Sequence, residues 1–119
     1  MGINESVIKP KADDFALRIV KLYKHLTKEK KEFVISNQLL RSGTSIGANV
    51  TEAEYGISKA DFRAKMSIAL KEAAETEYWL NLLYKSEYLT KREYDSLRSD
   101  LSPIIRILIS IVKNTDTKE

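Results

Sequence analysis

Apolar side chains recur every three or four residues in four separate segments of this sequence. No segment alternates apolar and polar residues in the way that a half-buried strand does. Spacing of three or four residues gathers the apolar side chains on one face of an α-helix. The sequence therefore predicts an all-α protein built from four amphipathic helices.

The predicted helices lie near residues 11–29, 33–55, 58–86 and 90–114. We expect the first to begin after Pro10, and Pro103 to kink the fourth because proline lacks the N–H that a helix interior needs. Four long helices with short connectors favour an antiparallel up-down-up-down four-helix bundle. The length of 119 residues suits a single domain, residues 1–119, with short flexible termini.

Residues typical of helix ends support three of these boundaries. Ser58 precedes Asp61 by three residues, and Thr90 precedes Glu93 by the same spacing, as in capping boxes. Gly56 is predicted to close the second helix in a left-handed conformation.

Composition excludes several kinds of site. The chain has no cysteine, so disulfides and thiolate catalysis are excluded, and His25 is its only histidine. The glutamates of the second and third helices lack the histidine partners of a carboxylate-bridged metal site, so we expect no metal and no cofactor. They are Glu52, Glu54, Glu72, Glu75 and Glu77. The sequence shows neither a signal-peptide pattern nor a membrane span, which favours a cytoplasmic protein.

Positive charge is concentrated near the beginning of the chain. The formal net charge is +3, and residues 1–32 hold eight Lys/Arg against five Asp/Glu, which accounts for all of it. The first helix carries a basic stripe, which we expect opposite its apolar seam: Arg18, Lys21, Lys24, His25 and Lys28. This stripe predicts a phosphate-binding surface. The alternative is an ordinary solvated helix face.

Small residues occupy the apolar side of the second helix, in the stretch LLRSGTSIGANVTEAEYG. Gly43 and Gly47 fall there together with Ile46, and each glycine disfavours a helix by about 1 kcal/mol relative to alanine. We therefore expect a neighbouring backbone to approach closely at these positions. Only one charged residue, Arg41, occurs between residues 33 and 51. A helix with so little outward charge is expected to be covered by another subunit, which predicts a homo-oligomer.

Aromatic residues on the third helix allow two interpretations. Tyr78, Trp79, Tyr84 and Tyr88 could stack on bases. At their spacing along a long helix they more often pack within a core or between subunits, and Tyr55 has the same alternatives.

The same stretch resembles the bacterial four-helix-bundle family of 23S ribosomal RNA intervening-sequence proteins. That family typically shows an Arg-x-x-x-Ser-Ile-x-x-Asn-Ile-x-Glu-Gly pattern on the second helix. The matching residues here are Arg41, Ser45, Ile46, Asn49 and Glu52. Val50 replaces isoleucine, Gly47 stands where proline is common, and Ala53 where glycine is common. Residues 69–80 resemble the third helix of the family.

The resemblance implies a ring-shaped homopentamer without established enzymatic activity. Some relatives are encoded within insertions in ribosomal RNA genes. A related branch, the accessory protein of diversity-generating retroelements, binds nucleic acid and a reverse transcriptase. The resulting hypothesis is a non-enzymatic homopentameric bundle that binds RNA, DNA or a nucleoprotein through its basic surfaces. The alternative is a structural or protein–protein interaction module with no nucleic-acid role.

Overall fold

The computed structural model describes residues 2–116 as four α-helices. Met1 and residues 117–119, which belong to the predicted flexible termini, lie outside the described residues. The helices are α1 (Ile3–Lys28), α2 (Val34–Glu54), α3 (Lys59–Lys85) and α4 (Lys91–Asn114). The predicted all-α bundle is confirmed, and the bounds of α2, α3 and α4 differ from the predicted ones by one residue at most.

Each helix packs against its neighbours in sequence, and α1 also packs against α4, which closes the bundle. The result is a rod of 51 × 21 × 19 Å. Its axis is filled by side chains that all four helices contribute, among them Phe15, Ile19, Ile46, Leu80 and Leu108. Because connectors are short, the α1–α2 and α3–α4 connectors share one end of the rod. None of the four helices has a run long and apolar enough to cross a membrane.

The prediction that α1 begins after Pro10 is wrong. The helix begins at Ile3, where the carboxylate of Glu5 accepts the N–H of Gly2 at 2.8 Å, and it continues through Pro10. An internal proline disfavours a helix by about 3 kcal/mol. Burial of the segment offsets this, because Ile8 is fully buried and the Asn4 side chain donates to Ser110 Oγ of α4 at 2.9 Å.

The predicted left-handed cap at Gly56 is also wrong, because Gly56 does not have a positive φ. Instead, α2 ends in a tight turn in which the Gly56 N–H donates to the Ala53 carbonyl at 3.0 Å. A Cβ at Gly56 would lie 3.1 Å from that carbonyl oxygen and from a carboxylate oxygen of Asp61, and 3.2 Å from the Phe62 nitrogen. A side chain at this position would therefore be crowded, whereas the backbone conformation itself does not call for glycine.

The predicted caps of α3 and α4 are present. Ser58 Oγ accepts the N–H of Asp61 at 3.0 Å, and Thr90 Oγ1 accepts the N–H of Glu93 at 3.1 Å. Glu93 completes its capping box by accepting the Thr90 N–H at 2.8 Å. Helix α4 continues through Pro103, and the kink expected there stays a prediction.

The chain enters and leaves the bundle at the end of the rod opposite the α1–α2 and α3–α4 connectors. This end also holds the α2–α3 connector. Gly2, Ile57 and Asp116 line the same cavity of about 590 Å³ there.

Candidate nucleic-acid interface

The structure divides the predicted basic stripe into two parts. Lys21, Lys24 and Lys28 are exposed, and we call them the lysine row. Arg18 and His25 are half-buried beside α4 rather than opposite the apolar seam. Of the five residues only the lysine row is exposed, and its first member, Lys21, borders the groove that Arg18 and His25 line.

Arg18 is held by α4. Its guanidinium donates to Asp100 Oδ2 at 2.6 Å, to Ser96 Oγ at 3.1 Å and to the Ser96 carbonyl at 3.3 Å. These contacts fix α1 against α4 and neutralise one positive charge of the predicted stripe. Lys21 and His25 line a groove of about 340 Å³ between the two helices, together with Arg18, Leu22, Glu93 and Leu97.

The lysine row has no acidic partner. Within residues 2–116, none of its three ammonium groups lies within salt-bridge distance of a carboxylate, whereas Lys9, Lys65 and Lys91 are all paired. Residues 18–31 hold six Lys/Arg against one Glu, a net charge of +5, so the rest of the chain is at −2. Positive charge is therefore localised on one side and one end of the rod.

The α1–α2 connector, residues 29–33, forms a tip that continues the lysine row. The sequence KEKKE suggests a fully exposed connector, but Glu32 is buried. Its carboxylate accepts the first three N–H groups of α2, from Val34 at 3.1 Å, Ile35 at 2.9 Å and Ser36 at 2.7 Å. A carboxylate at a helix N-terminus satisfies orphan donors and the positive end of the helix dipole.

Two further interactions fix the same tip. The Glu32 N–H donates to the Leu26 carbonyl at 2.9 Å, and Ser36 Oγ donates to the Glu32 carbonyl at 2.6 Å. Lys31 adopts the left-handed conformation with φ 55°. The tip is thus a built structure rather than a loose loop.

Large apolar side chains are exposed at this tip. Phe33 is 53% exposed and Val34 is 76% exposed, next to the exposed Lys30 and Lys31. Within residues 2–116, Phe33 makes no contact with another aromatic ring. Phe33 is not among the residues predicted from the sequence, although an aromatic residue directly after a lysine-rich run is a signal for such a position.

The glycines predicted to allow close approach differ in their surroundings. Gly43 is buried, and a Cβ there would lie 2.9 Å from Cγ1 and Cγ2 of Ile19. At Gly47 the nearest atom to such a Cβ would be Asp13 Oδ1, at 3.4 Å, which is an ordinary contact distance. The approach at both positions is made by α1 of the same chain, and Ile46 lies between them in the core.

The polar residues of the α2 pattern bond within the chain. Ser45 Oγ donates to the Arg41 carbonyl at 2.6 Å, and the Asn49 side chain donates to the Ser45 carbonyl at 2.9 Å. Arg41 reaches α3, where it pairs with Glu72 at 3.0 Å and with Glu75. Glu52 pairs with Lys65, also of α3, at 3.4 Å. Arg41 is about half-exposed even so.

The aromatic residues also separate into two groups. Tyr84 and Tyr94 stack with ring centroids 4.5 Å apart, and Trp79 Nε1 donates to Glu75 at 2.9 Å. The stack of Tyr84 and Tyr94 joins α3 to α4, and Trp79 bonds to a carboxylate of its own helix. Tyr78 and Tyr55 remain largely exposed.

A family model of 23S rRNA-intervening sequence proteins matches residues 4–110. The chain belongs to this family. A crystal structure at 1.70 Å resolution, of a protein of unknown function from the S23 ribosomal protein family of Bacteroides thetaiotaomicron VPI-5482, is 56% identical in sequence. The match covers 94% of this chain and 100% of the other, with a TM-score of 0.92. The search of curated proteins gave no match. Membership of the 23S rRNA-intervening sequence family confirms the predicted resemblance.

Proposed function

We propose that this chain is a non-enzymatic, homo-oligomeric helical bundle that binds nucleic acid or a nucleoprotein through the lysine row. The observation that carries the proposal is the exposure of three lysines on one helix that have no acidic partner among residues 2–116. Lys21 and Lys28 are seven residues apart, which corresponds to about 10 Å along a helix. That span allows more than one backbone phosphate to be contacted at once.

Phosphate contacts of this kind give affinity without base preference. Each lysine that neutralises a phosphate releases condensed counterions, so binding weakens as salt rises. The proposal therefore assigns the row a positioning role, and sequence preference would have to come from other residues.

Oligomerisation is supported by the exposed surface of α2, whereas the number of five subunits rests on the family resemblance alone. Within one chain its outward side carries Asn37, Gln38, Arg41 and Ala48, with few charges to keep it solvated. Assembly into a ring would repeat the lysine row several times on one particle and so increase the avidity for a long polyanion. A light-scattering mass equal to one 13.6 kDa chain would overturn this part of the proposal.

The nucleic-acid role is tested with two double variants that remove the same charge. K21Q/K24Q removes two lysines of the row, and K71Q/K113Q removes two exposed, unpaired lysines from α3 and α4. Binding to single-stranded and duplex RNA and DNA is measured at several salt concentrations. We expect K21Q/K24Q to make the slope of log K against log salt shallower by about 1.4 to 1.8, and the control to retain it.

Two results would contradict the proposal. The first is no binding by the unsubstituted protein at low salt, which would favour the alternative of a structural or protein–protein interaction module. The second is an equal loss in both double variants, which would show that only the net charge matters and would overturn the assignment of binding to the lysine row.

A further inference from the structure

We infer that the tip holds single-stranded nucleic acid by stacking an unpaired base on Phe33. The inference rests on the proposed function, because the lysine row supplies the phosphate contacts that lead to the tip. The nucleic acid is single-stranded rather than duplex, and Phe33 is the residue that selects it.

The ring of Phe33 is exposed although neighbouring positions are buried. A phenylalanine that is 53% exposed next to a valine that is 76% exposed leaves apolar area in water, although the core is only a few residues away. Neighbouring residues do have inward positions, because Glu32 and Ser36 are both buried. The structure thus presents the aromatic ring outward and the carboxylate inward.

The backbone that carries Phe33 is rigid. Glu32 bonds to three N–H groups of α2 and to the Leu26 carbonyl of α1, so the backbone on both sides of Phe33 is fixed. A ring on a fixed backbone loses little conformational entropy when a base stacks on it. This is the condition under which a single exposed ring contributes useful affinity.

The positive charge next to Phe33 complements the negative charge of a phosphate backbone. Exposed Lys28, Lys30 and Lys31 precede Phe33 in sequence and have no carboxylate within salt-bridge distance among residues 2–116. Surfaces that bind single strands typically combine cationic side chains, which contact phosphates, with aromatic rings, on which bases stack. In a duplex the bases are already stacked on one another, so the ring has no partner.

The test compares Phe33 with Tyr55, an aromatic residue that is 81% exposed at the other end of α2. The variants are F33A, F33W and Y55A, and the ligands are a short single-stranded RNA and the duplex formed with its complement. Phe33 makes no side-chain cap bond and Glu32 holds the start of α2, so F33A should leave folding intact. Circular dichroism and melting temperature verify this.

We expect F33A to weaken single-strand binding by about five- to 150-fold, the range for loss of one stacked base. Duplex binding should be unchanged, F33W should restore single-strand binding, and Y55A should behave like the unsubstituted protein. Equal losses on single strand and duplex, or no loss on either, would overturn the inference while leaving the proposed function standing. Absence of all nucleic-acid binding by the unsubstituted protein would overturn both.

Two additional measurements address other occupants of the tip. If F33A lowers the mass of the oligomer, a second copy of this chain covers Phe33. If instead the protein binds vesicles containing an anionic phospholipid and F33A abolishes that binding without affecting RNA, the tip contacts a lipid surface. Either result would overturn the inference.

Discussion

Gly43 of α2 faces Ile19 of α1 so closely that a Cβ on the glycine would lie 2.9 Å from two carbon atoms of the isoleucine side chain. Both residues are buried, and Ile19 is surrounded by the core of the bundle. A β-branched side chain in such surroundings has little freedom to move away. This contact sets the separation of α1 and α2.

We therefore expect G43A to destabilise the protein, because overpacking costs about 1–3 kcal/mol and outweighs the gain in helix propensity of about 1 kcal/mol. G47A provides the matched control, because a Cβ there meets nothing closer than 3.4 Å. Replacing a helix-interior glycine by alanine favours the helix by about 1 kcal/mol, so G47A should be neutral or stabilising. Urea unfolding at one protein concentration measures both. Equal effects of the two substitutions would contradict the assigned contact.

A buried pair of hydroxyl groups joins α2 to α3, and removing the Thr76 hydroxyl alone should destabilise the protein. Ser42 Oγ and Thr76 Oγ1 are 2.9 Å apart and fully buried, and Thr76 also lies 2.8 Å from the Glu72 carbonyl. T76V would leave the Ser42 hydroxyl with only a 3.4 Å contact to Leu39, so we expect a loss of about 1–3 kcal/mol.

The double variant S42A/T76V removes both polar groups and should recover most of that loss. A double-mutant cycle from denaturant unfolding measures the coupling. If S42A/T76V is less stable than T76V, the hydroxyl pair is not what the T76V substitution disrupts.

Glu87 occupies a backbone position that favours glycine. Its φ is 70°, and the Tyr88 N–H bonds to the Leu83 carbonyl while the Glu87 N–H bonds to the Tyr84 carbonyl, which is the Schellman arrangement at the end of α3. A left-handed conformation disfavours a residue with a Cβ by about 1–2 kcal/mol. We expect E87G to raise the free energy of unfolding by about 1 kcal/mol relative to E87A, which removes the same charge but keeps a Cβ. Thermal unfolding of the two variants makes the comparison, and a more stable E87A would refute it.

Glu93 should contribute to the acid sensitivity of the protein. The backbone hydrogen bond from Thr90 holds the pKa of the Glu93 carboxyl below its ordinary value, with smaller contributions from the nearby His25 and Lys30. A carboxyl whose pKa is lowered by folding stabilises the protein above its unfolded-state pKa, and this stabilisation is lost as the pH falls through the folded-state pKa.

E93Q keeps a capping side chain but does not titrate. Its free energy of unfolding should therefore fall less steeply than that of the unsubstituted protein when the pH decreases below about 4.5. Denaturant unfolding at a series of acid pH values measures the two slopes. Identical slopes would show that the capping box does not depend on the charge of Glu93.

Helices α2, α3 and α4 could be predicted because their apolar periodicity was unbroken and local signals such as Ser58 and Thr90 marked their starts. The start of α1 could not, because Pro10 indicates a helix start and only tertiary burial of Ile8 reveals that the helix extends further. The outcome was set by packing against distant segments, which no local pattern encodes.

The candidate site was predictable to a similar extent. Exposure of the lysine row follows from helical phase, but the pairing of Arg18 with Asp100 depends on how α1 and α4 rotate against each other. The role of Glu32 was hidden for another reason. The charged run of residues 28–32 is expected to be fully solvated. Its last residue, Glu32, is instead buried, and its carboxylate accepts N–H groups of α2.

The cavity that Gly2, Ile57 and Asp116 share has a consequence for any longer polypeptide that contains this bundle. Segments placed before residue 2 and after residue 116 would emerge side by side, at the far end of a 51 Å rod from Phe33. A fluorescent protein, an affinity tag or a natural neighbouring domain fused at either position would leave the tip unobstructed. A chain immobilised through such a fusion would present its tip away from the support.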